Sequence, residues 1–301
     1  MSFSKQQLEE MAAAVPFWFH SVPLGEGVVT NGWKTEASMA IELRRLALPD
    51  LQGKTVLDIN SWDGFFAFEA ERRGASRVVA LDEYMWAMDL AEHHKYCMEC
   101  AERGVSPAPY HTMPYYKPAE LPGKVGFDTA HRARQSRVEV VVGDFMEMNL
   151  DRLDADIVLY LGSLYHMENP MLALRRLAQV TNELAIIETE AAEFPHAGDY
   201  ALFEFFGANE LRGDVSNWWA PNEKGLTSMC RAAGFEEVDV IVGSPLKAGV
   251  VAREKPIGAR LRSLVGHEVR RLTKKPQPPN LEEVIRYRAV VHARKQKQVG
   301  G

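Results

Sequence analysis

One stretch leaves this chain few ways to fold: Lys54-Thr55-Val56-Leu57-Asp58-Ile59-Asn60-Ser61-Trp62-Asp63-Gly64-Phe65-Phe66, with Asp82 eighteen residues after Gly64. The apolar run around Val56 and Leu57 predicts a buried strand, and the Asn60–Gly64 stretch a tight turn. Ala67 through Arg73 has helical character and is closed by Gly74. Arg77-Val78-Val79-Ala80-Leu81 predicts a second strand that ends in the carboxylate of Asp82. An acid at that point can accept both hydrogen bonds of a ribose diol, while the turn lets a ligand approach the backbone. The layout marks a nucleoside-containing ligand at the switch point of a doubly wound sheet.

The turn also says which nucleoside. Pyrophosphate-bearing dinucleotides need glycine at the early turn positions, so that phosphate can lie on the helix N-terminus. Here Asn60 and Trp62 stand there, and tryptophan would block a phosphate. A ligand with an amino acid group in place of the diphosphate makes less demand on that space. S-adenosyl-L-methionine fits, with its ribose on Asp82 and its amino acid end near Asp58, Asn60 and Gly64.

Further strands follow in the order such a sheet requires. Residues 138–142 are β-branched and lead into Gly143-Asp144-Phe145, where Asp144 offers an acceptor to an adenine amino group and Phe145 an aromatic face. Residues 156–161 form a buried strand running into Leu161-Gly162-Ser163-Leu164-Tyr165-His166, with Leu161 and Gly162 as cofactor contacts. Residues 184–188 are another strand, ending in carboxylates. Strands alternating with helical segments predict an α/β fold: a doubly wound, mostly parallel, Rossmann-like sheet.

On these residues the chain resembles class I S-adenosylmethionine-dependent methyltransferases. More narrowly, it resembles the tRNA wobble-uridine (5-hydroxyuridine) methyl- and carboxymethyltransferase-like group. The likeness rests on Asp58 through Phe66, on the Gly162–His166 block with Asn169-Pro170 after it, and on Gly234-Phe235; it covers roughly residues 17–252. The resemblance implies that Trp33, Lys34 and Tyr165, with a late arginine, engage the extra carboxylate of a carboxylated donor. Here the late arginine is replaced by Lys247 and the glycines of the first turn are replaced too, so plain S-adenosyl-L-methionine is the expected donor.

Two excursions, 83–123 and 191–221, are too long for plain connections and are rich in aromatics. They predict a lid over an acceptor, with Tyr116, Tyr200, Phe203 and Trp218 as substrate contacts. Methyl transfer to a hydroxyl or amine needs an aligned nucleophile and a proton acceptor. His166 is the first choice for that base, with Tyr165 beside it to orient the acceptor. His20 is the second choice, and Glu188 or Glu190 the third. His93, His94, Cys97 and Cys100 fall close together but form only half of a zinc pattern, so no metal is expected.

Composition bounds the rest. No apolar run reaches the ~18 residues of a membrane span, and three cysteines in 301 residues give no disulfide framework. The acid-bearing stretch 1–14 lacks a signal pattern, so a cytoplasmic location is expected. Residues 253–301 carry 13 Lys and Arg against 4 Asp and Glu, whereas the whole chain has a net charge of −6. The predicted organisation is therefore an arm over 1–50, a core over 51–252, and a basic helical tail over 253–301 broken at Pro276-Gln277-Pro278-Pro279. Within the core, residues 237–242 and 249–252 are expected to pair as antiparallel strands. An acidic body is a poor platform for RNA, whose binding rests on phosphate neutralisation. The expected acceptor is a small molecule (a natural product, sugar or glycolipid hydroxyl), with tRNA as the alternative partner and a non-catalytic cofactor-binding protein as a third class.

Overall fold

The structure is a computed structural model that describes residues 3–195, 198–247 and 284–295. Among these residues seven strands build one sheet: β1 (Thr55–Ile59), β2 (Arg77–Asp82), β3 (Glu139–Val142), β4 (Ala155–Leu161), β5 (Thr181–Glu193), β6 (Glu237–Val242) and β7 (Ile285–Arg294). Their order across the sheet is β6-β7-β5-β4-β1-β2-β3. β1 through β5 pair in parallel, and β7 runs antiparallel to both neighbours. The order reverses between β1 and β4, which is where a doubly wound sheet opens a crevice at its carboxyl ends.

Both faces are covered, because successive side chains of a strand point to opposite sides. Val56, Ala80, Leu159 and Ile186 face one layer, containing α1 (Lys5–Ala13), α2 (Glu36–Leu46), α3 (Phe65–Arg72) and α5 (Val125–Arg134). Leu57, Leu81, Val158 and Ile187 face the other, containing α6 (Pro170–Val180) and α7 (Glu223–Ala233). Helix ends follow local chemistry. Ser4 and Gln7 form a capping box on α1, and Asn169 and Asn222 cap α6 and α7 ahead of their first turns.

The two excursions touch. The first carries α4 (Leu90–Arg103), and the second a hairpin of Phe203–Phe205 with Trp219–Pro221. The Asn209 side-chain amide donates to the Ala101 carbonyl (2.7 Å), and the Ser106 hydroxyl donates to the Gly207 carbonyl. Several of their aromatics fill these insertions rather than line an opening: Trp86, Tyr115 and Phe206 are buried.

The expected separation of a basic tail from the core fails for residues 284–295. Instead of helix, Ile285–Arg294 forms β7, wedged between β5 and β6. The partner of residues 237–242 is thus β7; the expected strand over 249–252 and the expected helical stretch up to 283 lie outside the described residues. The physical reason is a period of two. Ile285, Tyr287, Ala289, Val291 and Ala293 alternate with Arg286, Arg288, Val290, His292 and Arg294. Its arginines neutralise the acidic body, with Arg286 on Glu204, Arg288 on Glu188 and Glu190, and Arg294 on Asp239.

Val291 is wholly buried at the centre of this strand. Val291→Asp would leave an uncompensated buried carboxylate, costing about 3–5 kcal/mol. That corresponds to a fall of roughly 10 °C or more in the thermal midpoint of a chain this size. A midpoint unchanged in Val291→Asp would place residues 285–294 outside the sheet.

Candidate functional site

The turn after β1 has an alternating left-handed backbone: φ is +60° at Asn60, +49° at Trp62 and +84° at Gly64. Asparagine tolerates that region and glycine prefers it, but a tryptophan there is an outlier. Gly64 is required twice over, since a Cβ would lie 2.6 Å from Phe68 and 2.8 Å from Phe127. The turn hangs from the end of β2, where the Leu81 carbonyl accepts from the Asn60 and Ser61 N–H groups at 2.8 and 3.2 Å.

Trp62 is held on every side. Its N–H donates to Asp82 Oδ2 (2.8 Å), and its carbonyl accepts from the Trp86 indole. Its ring stacks on Phe19 at 3.9 Å between centroids, and Phe19 stacks in turn on Trp33 at 5.5 Å. The arm that supplies Phe19 is latched by Asp63. Its Oδ2 accepts from the Phe19 and His20 N–H groups (3.1 and 2.7 Å), while Oδ1 bonds to His20 Nδ1. His20, the second-choice base, is therefore a buried brace of the turn.

Asp82 stands at the expected strand end but is 0% exposed. Its Oδ2 accepts from Trp62 and its Oδ1 from the Met85 N–H (3.0 Å). Both carboxylate oxygens thus face backbone donors, which corrects the expectation that they face a ribose. The next residue, Glu83, is half-buried and accepts from the Tyr116 hydroxyl. Asp58 is buried below the turn and accepts from the Ser61 hydroxyl (2.8 Å). Burial pushes the carboxyl groups of Asp58 and Asp82 each up to about 7, against the pull of their hydrogen-bond donors.

At the end of β3, Asp144 is half-buried, accepting from the Met146 N–H (2.7 Å) and the Tyr110 hydroxyl (3.4 Å). Phe145 is 3% exposed and packs on Tyr160 beneath the Arg176 guanidinium, so its ring belongs to the core and offers no face to an adenine. Asp144 meets the first excursion through Tyr110, while apolar burial takes the Phe145 ring into the core. Leu161 is half-buried, and Gly162 takes φ +68° at the end of β4, where a Cβ would approach Arg288 to 3.4 Å.

After β4, the short helix Leu164–His166 carries Tyr165 and His166 side by side, with ring centroids 4.0 Å apart. His166 Nδ1 lies 2.9 Å from the Ser216 carbonyl and 3.1 Å from its hydroxyl, and that hydroxyl donates to Asp214 Oδ1 (2.6 Å). A carbonyl only accepts, so Nδ1 carries the hydrogen and Nε2 keeps its lone pair. Burial holds the imidazole below its usual pKa, which favours the neutral base. Beside it, Glu188 and Glu190 both contact Arg288, whose guanidinium lies over the Tyr165 ring at 4.8 Å; Arg212 also holds Glu190 (2.7 Å). Glu188 and Glu190 are therefore ion-paired rather than poised as bases.

The other expected residues scatter. Trp33 is 72% exposed at the outer end of the aromatic stack, and Lys34 pairs with Glu42 (2.9 Å). Lys247 pairs with Glu223 at the start of α7. Tyr116 lies with Tyr110 over the ends of β2 and β3. The Trp218 N–H donates to the Tyr165 carbonyl (2.8 Å), whereas Phe203 sits in the hairpin and Tyr200 stands in solvent at 74% exposure. On α4, His93 and Cys97 approach to 3.4 Å, and no group of three metal-binding side chains occurs among the described residues. Among those residues no helix is long and apolar enough to cross a membrane.

The sheet order, with its left-handed turn after β1 and acids at the ends of β2 and β3, is that of the Rossmann-like methyltransferase fold. Among solved structures, the N-terminal domain of EvdMO1, crystallised in the presence of SAH and D-fucose, matches over 98% of each chain (TM-score 0.52, 15% identity). Full-length EvdMO1 matches over 97% of this chain and 48% of its own length (TM-score 0.50, 15% identity). Phosphoethanolamine N-methyltransferase 2 of Haemonchus contortus, in complex with S-adenosyl-L-methionine, matches over 88% of this chain and 53% of its own (TM-score 0.50, 15% identity). No protein-family model matches the chain, and no curated protein matches it.

The buried carboxyl groups give the site a pH signature. An acid whose folded pKa is raised contributes stability that is fully present below its unfolded value, 3.8, and is lost as pH rises through about 7. Asp82→Asn lacks that titration. The midpoint difference between the natural protein and Asp82→Asn should therefore shift in the variant's favour between pH 5 and pH 8. A difference that stays constant over that range would mean Asp82 is ionised throughout.

Proposed function

We propose that this protein is an S-adenosyl-L-methionine-dependent methyltransferase acting on a hydroxyl of a small organic acceptor, a natural product, sugar or glycolipid. The observation that carries the reading is the left-handed turn at 60–64, at the switch point where β1 meets β4, with the carboxylates at the ends of β2 and β3 to one side of it. Bound there, S-adenosyl-L-methionine supplies a methyl group already activated on a sulfonium sulfur. The protein's part is to bind, align and accept a proton.

Glu83 takes the ribose diol, because Asp82 is closed in by backbone donors while Glu83 offers a half-exposed carboxylate. Asp144 takes the adenine amino group. Asn60 and Gly64 carry the amino acid end over the turn, and the carboxyl groups of Asp58 and Asp82 beneath it favour a cationic ligand once ionised. Plain donor is supported over carboxylated donor by electrostatics. Each cation that an extra carboxylate would need already has its own acid: Lys34 on Glu42, Lys247 on Glu223, and Arg288 on Glu188 and Glu190.

His166 is the base. Its fixed tautomer leaves Nε2 free to accept the acceptor's hydroxyl proton, and its lowered pKa keeps it neutral near pH 7. Trp33, Phe17 and the second excursion supply exposed aromatic surface of the kind that stacks on a sugar or ring. Against the tRNA alternative, each arginine of β7 is already paired with an acid of the chain, which weakens its pull on a phosphate.

Two variants test the roles separately. Glu83→Gln should weaken S-adenosyl-L-methionine by about tenfold or more in calorimetry, since hydrogen bonds to a charged group contribute about 1.5–3 kcal/mol each. His166→Gln should bind the donor normally yet lose about 10²–10⁴-fold in turnover. Unchanged donor affinity in Glu83→Gln would return the ribose to another acceptor, and near-normal turnover in His166→Gln would make that histidine structural.

A further inference from the structure

Beside the N-terminal arm, α2 and α3 face each other without closing. Met39 and Leu43 of α2 lie opposite Phe65 and Phe68 of α3, each pair on one helical face, and between them runs a groove of about 190 Å³ walled also by Val22. That volume is comparable with engineered apolar cavities of about 150 Å³ that hold benzene. Its floor is apolar, while Ser21, Glu36, Glu69, Arg72 and Arg134 make most of the rest of the lining polar.

The end of the groove is cationic. Arg134, in the last turn of α5, lies over the Phe68 ring at 5.3 Å and donates one Nη to the Pro23 carbonyl. Its Nε is buried with no partner, and among the described residues no carboxylate forms an ion pair with it. Its neighbours are committed elsewhere. Glu69 is held by Arg72 and Arg73 (2.7 and 2.8 Å), and Glu71 by the Ser136 hydroxyl and the Arg137 N–H (2.7 Å each). Glu36 stands exposed at the mouth. Burial lowers the Arg134 pKa, against the more distant pull of Glu71 and Glu69, neither of which pairs with it directly.

We propose that this groove is a second ligand site, which takes an amphipathic carboxylate: an aliphatic chain between α2 and α3, with its head group on Arg134. The guanidinium is half-buried and its Nε has no acceptor, so an incoming carboxylate would supply a direct ion pair and the hydrogen-bond acceptor that Nε lacks. Leu43, half-buried, with Pro23 and Ala40, exposed, offer the surface that the chain would cover. The site stands apart from the methyl-transfer reading, so its test uses no cofactor and no turnover.

Calorimetry on the full chain with octanoate, octanol and octylammonium as probes decides it. Octanoate should bind saturably, with octanol and octylammonium about tenfold or more weaker. Arg134→Gln should bring octanoate down to the level of octanol. Ala40→Phe, at an exposed position on the groove wall, should block all three probes in a protein that unfolds normally. The proposal falls if octanoate does not saturate, if octylammonium binds as well as octanoate, or if either substitution leaves octanoate binding unchanged.

Discussion

A tryptophan in left-handed backbone is the constraint around which this molecule is arranged. Holding such a residue at positive φ costs on the order of 1–3 kcal/mol, and it persists only where the surroundings over-determine it. Trp62 meets that condition through three separate parts of the chain: the carboxylate ending β2, the Trp86 indole from the first excursion, and the Phe19 ring from the N-terminal arm. Asp63, the next residue, then fixes the arm through His20. A turn that glycine would adopt at little steric cost is here built by tertiary contacts, and those contacts bring the arm, the sheet and the first excursion to one place.

The same arrangement explains the division of labour among the acids. Asp58, Asp63 and Asp82 all lie buried at the turn and all accept hydrogen bonds from its surroundings. They shape the backbone that a ligand would meet. Glu83 and Asp144, touched by the hydroxyls of Tyr116 and Tyr110, are only half-buried at the ends of β2 and β3, which is why the proposal gives them the contacts with the donor. Those two tyrosines come from the first excursion, so the segment expected as a lid reaches the ends of β2 and β3.

Much of this was legible in the sequence. The strand–turn–helix–strand run from Lys54 to Asp82, the apolar strands before Asp144 and Tyr165, and both long aromatic excursions predict the parallel half of the sheet and where its ligand edge lies. Three features were less legible. Whether Asp82 or Glu83 faces out depends on which backbone N–H groups the turn aims at it, and that is a tertiary fact. Phe145 follows a strand whose register alone does not say which side of the next turn it leaves on; apolar burial against Tyr160 decided it. For β7 a signal did exist, in the alternation of Ile285, Tyr287, Ala289, Val291 and Ala293 with more polar residues, but the arginines between them read as part of a helical basic tail, docked on the acidic body or solvated. They are in fact the counter-charges of Glu188, Glu190, Glu204 and Asp239.

Hydrogen exchange with and without S-adenosyl-L-methionine tests the central claim, because it reports where a bound ligand orders the backbone. Protection should rise at residues 58–66 and in the arm at 17–21, which Asp63 and the Phe19–Trp62 stack tie to the turn, and also around Glu83 and Asp144. Saturating donor that leaves residues 58–66 and 17–21 exchanging as they do in its absence would contradict the account.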